Sequence, residues 1–249
     1  MFAALASLVL LQALHASSAA DNLPPYIHQC RWSDPKVTEC FIHAMMHIRP
    51  WLAQGIPEIE LPASEPFRLN ELSLSLTTGP NGYRVHLRDI DLYGASNFSV
   101  TRLRLSEKGA PFDLQIRIPQ LRINADYTSS GVLIIIPASG KGSFHAALAG
   151  VTAVLRGTTS TARGAGGRDF LRVDKLNVDL KIRDVNMGIK RAFNNNAILT
   201  EATNLFLRSN GHEVLEAMMP QLRLKLAEVF MSIANKLLAK VPVQYLVRD

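Results

Sequence analysis

The two cysteines of the chain, Cys30 and Cys40, lie ten residues apart, close behind an apolar N-terminal segment. Residues 1–20 have the features of a removable secretory signal peptide, because an apolar run from Phe2 to Leu14 precedes small residues suited to cleavage. That run is too short to span a membrane, which takes about twenty residues. In the oxidising environment that secretion implies, a single cysteine pair favours a disulfide over a metal or catalytic site. The bond would close a loop of about eleven residues and add roughly 2–3 kcal/mol of stability.

Two other groups of residues could do chemistry, and each has a simpler interpretation. His43 and His47 have the i, i+4 spacing with which two helical imidazoles can bind a metal ion. No glutamate follows His43 directly and no third ligand is evident, so two partly exposed histidines are the favoured interpretation. Asp89 and Asp91 lie beside Arg88 where a strand pattern changes phase, which indicates a solvated edge.

Motifs of common catalytic sites are missing from the sequence. There is no nucleophile elbow of the Gly-x-Ser-x-Gly type, and residues 140–143 (Gly-Lys-Gly-Ser) lack the earlier glycine of a phosphate-binding loop. We therefore predict a protein that is not an enzyme and has no cofactor and no bound metal.

The chain is basic, with a net charge of +6 and a pI near 9.5, which would suit nucleic acid or an anionic membrane surface. However, its lysines and arginines are spread singly and mostly alternate with apolar residues along predicted strands, as on a solvated sheet face. No basic run contains interleaved aromatic residues that could stack on bases. The pattern argues against nucleic-acid binding.

The first element after the signal peptide is a predicted helix over residues 40–54. Phe41, Met45, Ile48 and Leu52 fall on one face, and Gly55 with the proline that follows it ends the helix. A proline-punctuated connector continues to residue 66.

Residues 68–183 alternate between apolar and polar with a period of two, which predicts strands. Asn81-Gly82 indicates a hairpin turn, residues 140–142 a second turn, and the Gly-rich residues 157–168 a mobile hairpin tip. The apolar positions change phase between residues 87 and 90 and again after Pro119, as β-bulges require. Long bulged strands joined by short turns predict a strongly curved antiparallel sheet.

From about Met187 the period returns to 3.6, and residues 211–240 predict a helix roughly 45 Å long. Pro220 is expected to kink this helix or to divide it from a preceding turn. The apolar arc of the helix is broad enough to be buried on more than one side, so the curved sheet is expected to wrap around it. A sheet wrapped around so long a helix is expected to leave an elongated apolar cavity. Met218, Met219 and Met231 suit exchangeable contents, although simple core filling explains them too.

The order and spacing of these residues resemble the takeout / haemolymph juvenile-hormone-binding proteins of insects. The similarity extends over the whole chain after the signal peptide, although no single piece is specific. The matching residues are Cys30 and Cys40, Gly55-Ile56-Pro57, Leu61-Pro62, Pro66, Tyr127, Gly131-Val132-Leu133, Pro137, Gly140-Lys141-Gly142, Asn210-Gly211-His212-Glu213-Val214, Pro220, Asn235 and Pro242.

The resemblance implies an α+β fold, in which a long C-terminal helix is wrapped by a highly curved antiparallel sheet. This is the fold of the lipid-binding domains of the bactericidal/permeability-increasing protein group, with an internal tunnel for a hydrophobic ligand and no catalysis. Two departures stand out. The hormone carriers have a second disulfide that this chain cannot form, so the chain is closer to the takeout branch. The Asn-Trp-x-Glu of takeout proteins is Asn210-Gly211-His212-Glu213 here.

In a tunnel of this kind Tyr127 is the polar group that would orient a ligand, with a role as an ordinary sheet aromatic as the alternative. Trp51 is interpreted as part of a core cap. Asn97-Phe98-Ser99 is a glycosylation sequon. The expected apolar ligand-binding residues are Ile134, Ile136, Phe144, Leu215, Met218, Met219, Leu222, Phe230 and Ile233.

These observations predict one domain over residues 21–249, a monomer secreted into haemolymph or another extracellular fluid. It would carry a juvenile-hormone-like terpenoid, a fatty acid or a related lipid. One alternative is a protein that binds membrane surfaces or bacterial lipids with its basic outer face, making transient contact with a membrane or receptor. Another is a signalling protein whose tunnel is vestigial.

Overall fold

The computed structural model describes residues 24–75, 82–106, 111–133, 136–137, 139–164, 167–191 and 196–248, with the backbone alone for residues 132–133 and 136–137. The predicted signal peptide lies wholly outside these residues, and of the Asn81-Gly82 turn signal only Gly82 is described. The helices are α1 (Val37–His47), α2 (Arg49–Gln54), α3 (Ala197–Ser209), α4 (Gly211–Leu238) and α5 (Val243–Leu246), with a 3-10 turn at Pro57–Ile59. The strands are β1 (Cys30–Arg31), β2 (Phe67–Ser75), β3 (Arg84–Tyr93), β4 (Ser99–Leu105), β5 (Phe112–Ser130), β6 (Val132–Leu133), β7 (Ile136–Pro137), β8 (Gly140–Arg163), β9 (Asp169–Lys181), β10 (Asp184–Lys190) and β11 (Val247–Arg248).

Two long antiparallel strands, β5 and β8, form the centre of the sheet. Within the described residues the sheet has seven strands. The other edge of β5 is shared by β4 along its first half and β3 along its second, and β2 pairs with β3. In the same way β10 and β9 share the other edge of β8. The sheet therefore has two halves that meet in the middle of β5 and β8.

The two halves meet where Pro119 lies opposite Gly150. Before Pro119 the even-numbered residues of β5 face the core, and after it the odd-numbered residues do. The bulge predicted after Pro119 should have shifted the pairing of β5 with β8, but the register is the same on both sides. The reason is that β8 changes phase at the same rung, where Gly150 takes a positive φ of 63° that favours glycine. The other predicted phase change, between Leu87 and Ile90, is confirmed as a bulge in β3.

Helix α4 runs across the inner face of both halves and continues through Pro220 without a break. Its first half packs in a cluster built on Leu87, Tyr127 and Leu215. Its second half packs against β8 and β9, where Ala227 and Phe230 contact a cluster built on Ala153, Leu155 and Val178. This arrangement confirms the predicted fold, a curved antiparallel sheet around a long C-terminal helix.

Helix side chains cap the open edges of the sheet. The Gln221 amide accepts a hydrogen bond from the Ser75 N–H (2.9 Å) and donates one to the Ser75 carbonyl (3.2 Å) at the edge of β2. Asn235 does the same for Val173 of β9 (2.8 and 3.0 Å), and Asn204 for Ile189 of β10 (2.8 and 3.1 Å). We call these three side chains edge-capping amides. At one residue of each edge strand they take the place of a neighbouring strand.

The N-terminal segment forms a cap over the end of α4. The predicted Cys30–Cys40 disulfide is present and joins β1 to α1, while β1 pairs in parallel with β11 near the C-terminus. Behind it Tyr26 and Ile56 are buried with partly buried neighbours that include Trp51 and Ile233. Trp51 thus packs in a core cap, as predicted.

Two predictions about helices are wrong. Residues 40–54 form two helices, α1 and α2, because Pro50 has no N–H to donate to the Met46 carbonyl and a continuous helix is interrupted there. Helical structure does not begin near Met187, since residues up to Lys190 form β10. Met187 and Ile189 are buried at alternate positions of that strand.

Two predictions about turns are wrong for a common reason. Residues 140–142 begin β8, and Gly157 lies inside that strand, so the hairpin tip is shorter than predicted. A side chain at Gly142 would place its Cβ 2.4 Å from the Lys190 carbonyl oxygen, and one at Gly157 would place it 2.5 Å from the Lys175 carbonyl oxygen. These glycines allow close approach of backbones and do not mark turns.

Among the helices of the described part of the chain, none is long and apolar enough to cross a bilayer.

Candidate ligand-binding site

Tyr127 points inward from the middle of the sheet. Alternation along β5 buries Ala125, Tyr127 and Ser129 on one face, and Tyr127 is only 5% exposed. Its hydroxyl is buried and has no hydrogen-bond partner among the described residues. Burial, followed by the proximity of Tyr83, raises the pKa of Tyr127 to about 12. The phenol therefore stays protonated at neutral pH and offers an unused hydrogen-bond donor to the interior.

The other polar groups nearby already have partners. The Tyr83 side chain is hydrogen-bonded to Ser129, and burial raises the pKa of Tyr83 despite that bond. The Ser129 hydroxyl also donates to the Gly140 carbonyl at 3.4 Å. Of the side-chain hydroxyls of Tyr83, Ser129 and Tyr127, that of Tyr127 is thus available to donate a hydrogen bond to a ligand.

Several of the predicted ligand-binding residues come together around Tyr127. Five of them lie in the cluster that contains the Tyr127 ring: Phe144, Leu215, Met218, Met219 and Leu222. Of these only Leu215 is buried, although all contact the core. Along the whole of α4 the buried residues are Gly211 and Leu215, so most apolar side chains that face the sheet keep accessible surface.

The remaining predicted residues lie elsewhere. Phe230 packs farther along α4 against the β8–β9 half, and Ile233 belongs to the N-terminal cap. Ile134 lies outside the described residues, and Ile136 is described by its backbone alone in β7. The predicted set therefore follows the length of the helix and does not form one compact pocket.

A cavity of about 350 Å³ lies at the far end of α4 and contains none of the predicted ligand-binding residues. Its walls come from residues 24–26, the start of β9 and residues 239–245, and they include Arg168 and Lys240. Lys240 is 3.8 Å from the Glu60 carboxylate. The charged side chains in the walls of this cavity, Arg168 and Lys240, are therefore both basic, and Lys240 is paired with Glu60.

A third histidine joins the pair seen in the sequence. The ring of His28 lies 4.8 Å from that of His43 and 6.1 Å from that of His47, measured between centroids. Burial, and then the two neighbouring imidazoles, lower the pKa of His28. His47 Nε2 lies 2.8 Å from the Pro25 carbonyl, and its ring packs on Trp51. Within the described residues no group of acidic, histidine or cysteine side chains has a geometry that could hold a metal ion, and sequence spacing alone could not find His28.

Asn97 lies on the surface in the turn between β3 and β4, where its N–H donates to the Gly94 carbonyl. The Arg49 guanidinium donates hydrogen bonds to the Ser96 carbonyl (3.0 Å) and to Asn97 Oδ1 (3.1 Å). Two backbone N–H groups of the same turn, those of Gly94 and Ser96, donate to Glu65. The sequon is thus on an exposed and well-anchored turn.

The sequence profile described as haemolymph juvenile hormone binding protein (JHBP) matches residues 6–248. The chain belongs to this family. The resemblance inferred from scattered residues is thereby confirmed, and the family's description is that of a binding protein.

Three known proteins are similar to this chain at low identity. The circadian clock-controlled protein daywake of Drosophila yakuba is 22% identical over 92% of this chain and 89% of its own length. A putative beta-carotene-binding protein of Schistocerca gregaria is 22% identical over 72% of this chain and 71% of its own length. The crystal structure of Takeout 1 from Epiphyas postvittana superposes with a TM-score of 0.77 at 20% identity, over 90% of this chain and all of that one. This likeness confirms the fold.

Proposed function

We propose that this protein is a secreted carrier that binds a small hydrophobic ligand between α4 and the sheet. The observation that carries the proposal is the buried Tyr127 hydroxyl, which lacks a hydrogen-bond partner among the described residues. Leaving a buried donor unsatisfied costs about 1–3 kcal/mol, and a ligand with an acceptor group would remove that cost. Membership of a family of binding proteins supports the same function.

The apolar surroundings of Tyr127 would supply most of the affinity. Met218, Met219 and Leu222 keep accessible surface while contacting the core, and an apolar ligand would cover that surface. Burying some 400 Å² of ligand surface at about 25 cal/mol per Å² gives on the order of 10 kcal/mol before association costs. Methionines fit ligands of different shape because they have several rotatable bonds and a polarizable sulfur.

The protonated phenol would select the polar end of the ligand. It can donate a hydrogen bond to an ester, ketone, ether or carboxylic acid oxygen, as in juvenile-hormone-like terpenoids, fatty acids and related lipids. We also propose that residues 1–20 are removed on secretion, that the mature chain is a monomer in extracellular fluid, and that Asn97 is glycosylated. The protein would carry its ligand without catalysis.

The test compares two isoprenoids that differ in one polar group, methyl farnesoate and the hydrocarbon farnesene. Tyr127→Phe should weaken binding of the ester about 3–10-fold, the loss of one hydrogen bond, and leave farnesene binding unchanged. Tyr245→Phe, at the opposite end of α4, is the matched control and should change neither affinity. Equal effects on both compounds would show that Tyr127 only packs.

A second measurement tests the carrier function itself. Native mass spectrometry of protein secreted from its own type of cell should reveal a co-purifying small hydrophobe. If none is found, and neither juvenile hormone nor C16–C20 lipids are taken up, the carrier function is wrong. Binding that collapses between low and physiological salt would instead indicate recognition of anionic head groups.

A further inference from the structure

Helix α4 contacts the edge strand β2 on one side of the sheet and the edge strands β9 and β10 on the other. We call its contact with β2 the β2 seam and its contact with β9 the β9 seam. Each seam contains one edge-capping amide, Gln221 at Ser75 and Asn235 at Val173, and the two pairs of hydrogen bonds have similar lengths. If these hydrogen bonds were the whole attachment, the two seams would be equally strong.

The β9 seam has further attachments along its length. The Arg223 guanidinium lies 3.3 Å from the Asp179 carboxylate, near the end of β9. Phe230 packs with the apolar residues of β9, and beyond the helix Pro242 forms a β-bridge with Phe170. The helix and the segment after it are therefore held to β9 at several levels.

The β2 seam has only apolar contacts to support its amide. Within the described residues no ion pair joins α4 to β2, and the hydrogen bonds between them are those of Gln221 with Ser75. Leu69 and Leu72 of β2 share the core cluster with Met218 and Met219 of the helix. Because methionine side chains adapt their shape readily, these contacts can rearrange as the seam opens and closes.

Beside this amide α4 is continuous but lacks one backbone hydrogen bond. Pro220, the residue before Gln221, has no N–H to donate to the Glu216 carbonyl, so one hydrogen bond of the helix is missing at that turn. Helices bend most easily at such positions. A bend at this turn would move the N-terminal part of the helix, with Met218 and Met219, away from β2. Gln221 would then lose the apolar contacts that support its bonds to Ser75, while the helix from Arg223 onward stays on β9.

Tyr127 lies directly behind the β2 seam. Leu72, Leu87 and Tyr127 occupy one rung across β2, β3 and β5. At a strand spacing of about 4.8 Å, Tyr127 is roughly 10 Å from the edge strand. Opening this seam would expose the cluster around Tyr127, whereas opening the β9 seam would expose the other half of the sheet.

We propose that the β2 seam is the portal through which a hydrophobic ligand enters and leaves, with Gln221 as its latch and the β9 seam as the fixed side. The portal rests on the proposed carrier function. The latch does not, because its opening can be measured without a ligand.

Hydrogen exchange of two backbone amides tests the latch. The N–H groups of Ser75 and Val173 are each held by an edge-capping amide, so they are matched reporters of the two seams. NMR should show a protection factor, the intrinsic exchange rate divided by the observed one, at least tenfold lower for the Ser75 amide than for that of Val173, because the β2 seam opens locally. If the two protection factors are equal, the latch is wrong whether or not the protein binds lipid.

The kinetics of cis-parinaric acid, a fluorescent fatty acid, test the portal. Gln221→Ala should raise the association and dissociation rate constants together by at least threefold and leave the ratio of the two, the Kd, within twofold. A residue that only contacts ligand would change the Kd. Asn235→Ala is the matched control, and it should leave both rate constants within twofold.

Cross-linking provides the converse experiment. Because Cys30 and Cys40 are already joined, the pair Ser75→Cys and Gln221→Cys supplies two free thiols that a short bismaleimide can bridge. Bridging should slow entry and release of the probe at least tenfold, whereas bridging Val173→Cys to Asn235→Cys should not. No slowing at the β2 seam, or equal slowing at both, overturns the portal. If the wild-type protein takes up neither cis-parinaric acid nor the two isoprenoids, the carrier function and the portal are overturned together, while the ratio of the protection factors still decides whether the seam opens.

Discussion

The two seams of α4 use the same chemistry in different surroundings. Gln221 and Asn235 each bond the N–H and the carbonyl of one residue on an edge strand. The β9 seam also contains an ion pair, an aromatic ring and a β-bridge, whereas the β2 seam has methionines and a proline beside its amide. How often such a hydrogen bond opens therefore depends on how firmly the surrounding contacts hold the helix to the strand. Four changes test it.

Loss of the disulfide should have the largest effect. The Cys30–Cys40 bond holds the cap that packs on Ile233 and Leu237, at the β9 end of the helix. Replacing both cysteines by serine should lower the free energy of unfolding by about 3 kcal/mol, measured by urea denaturation. Hydrogen exchange should accelerate more at Val173 than at Ser75. The opposite order would mean that the cap supports the β2 seam instead.

Truncation of Phe230 should come next. Phe230 is partly buried against β8 and β9, so Phe230→Ala should cost about 2 kcal/mol, less than for a fully buried ring. Leu222→Ala, on the side of the helix near Tyr127, is the matched truncation and should cost about 1 kcal/mol. A larger loss for Leu222 would remove the asymmetry between the seams.

The two edge-capping amides should differ in stability as well as in kinetics. Asn235→Ala should cost about 1.5 kcal/mol, because the Val173 N–H and carbonyl lose their partners in a seam that stays closed. Gln221→Ala should cost about 0.5 kcal/mol, since water reaches Ser75 whenever the seam opens. Chemical denaturation of both variants measures the difference, and equal costs would contradict it.

The Arg223–Asp179 ion pair should contribute least. Both side chains are nearly half exposed, and such pairs are worth about 0.5 kcal/mol. Arg223→Met should therefore lower stability slightly at low salt and have no effect in about 1 M NaCl, where charges are screened. A loss that persists at high salt would show that the arginine stem packs on the sheet.

The large features of the fold could be predicted because each leaves a periodic trace in the sequence. Apolar residues recur with a period of 3.6 over residues 211–240, which predicts the long helix. They recur with a period of two in the strands, as from Leu176 to Ile182, which predicts the sheet. The disulfide follows from two cysteines behind a signal peptide. The sequence predicts Tyr127 either as a polar group that orients a ligand or as an ordinary sheet aromatic, and the structure buries its hydroxyl.

What the sequence could not reveal depends on contacts between distant residues. Gln221, Asn235 and Asn204 look like ordinary polar surface positions, yet they bond backbone groups 146, 62 and 15 residues away. Gly142 and Gly157 look like turn residues until the opposing carbonyl oxygens are known. His28 lies outside the helix of its partners, so spacing does not connect them.

The rung of Pro119 and Gly150 places a constraint on how this chain can change. Because β5 and β8 change phase together there, deleting one residue from β5 alone would turn Leu114 and Ile116 toward solvent and bring Asp113 and Arg117 inward. A matching deletion in β8 would restore the pairing. We therefore expect an insertion or deletion near this rung of one strand to be tolerated only with a matching change in the other. The lengths of β5 and β8 are thus coupled, although about thirty residues separate the midpoints of the two strands.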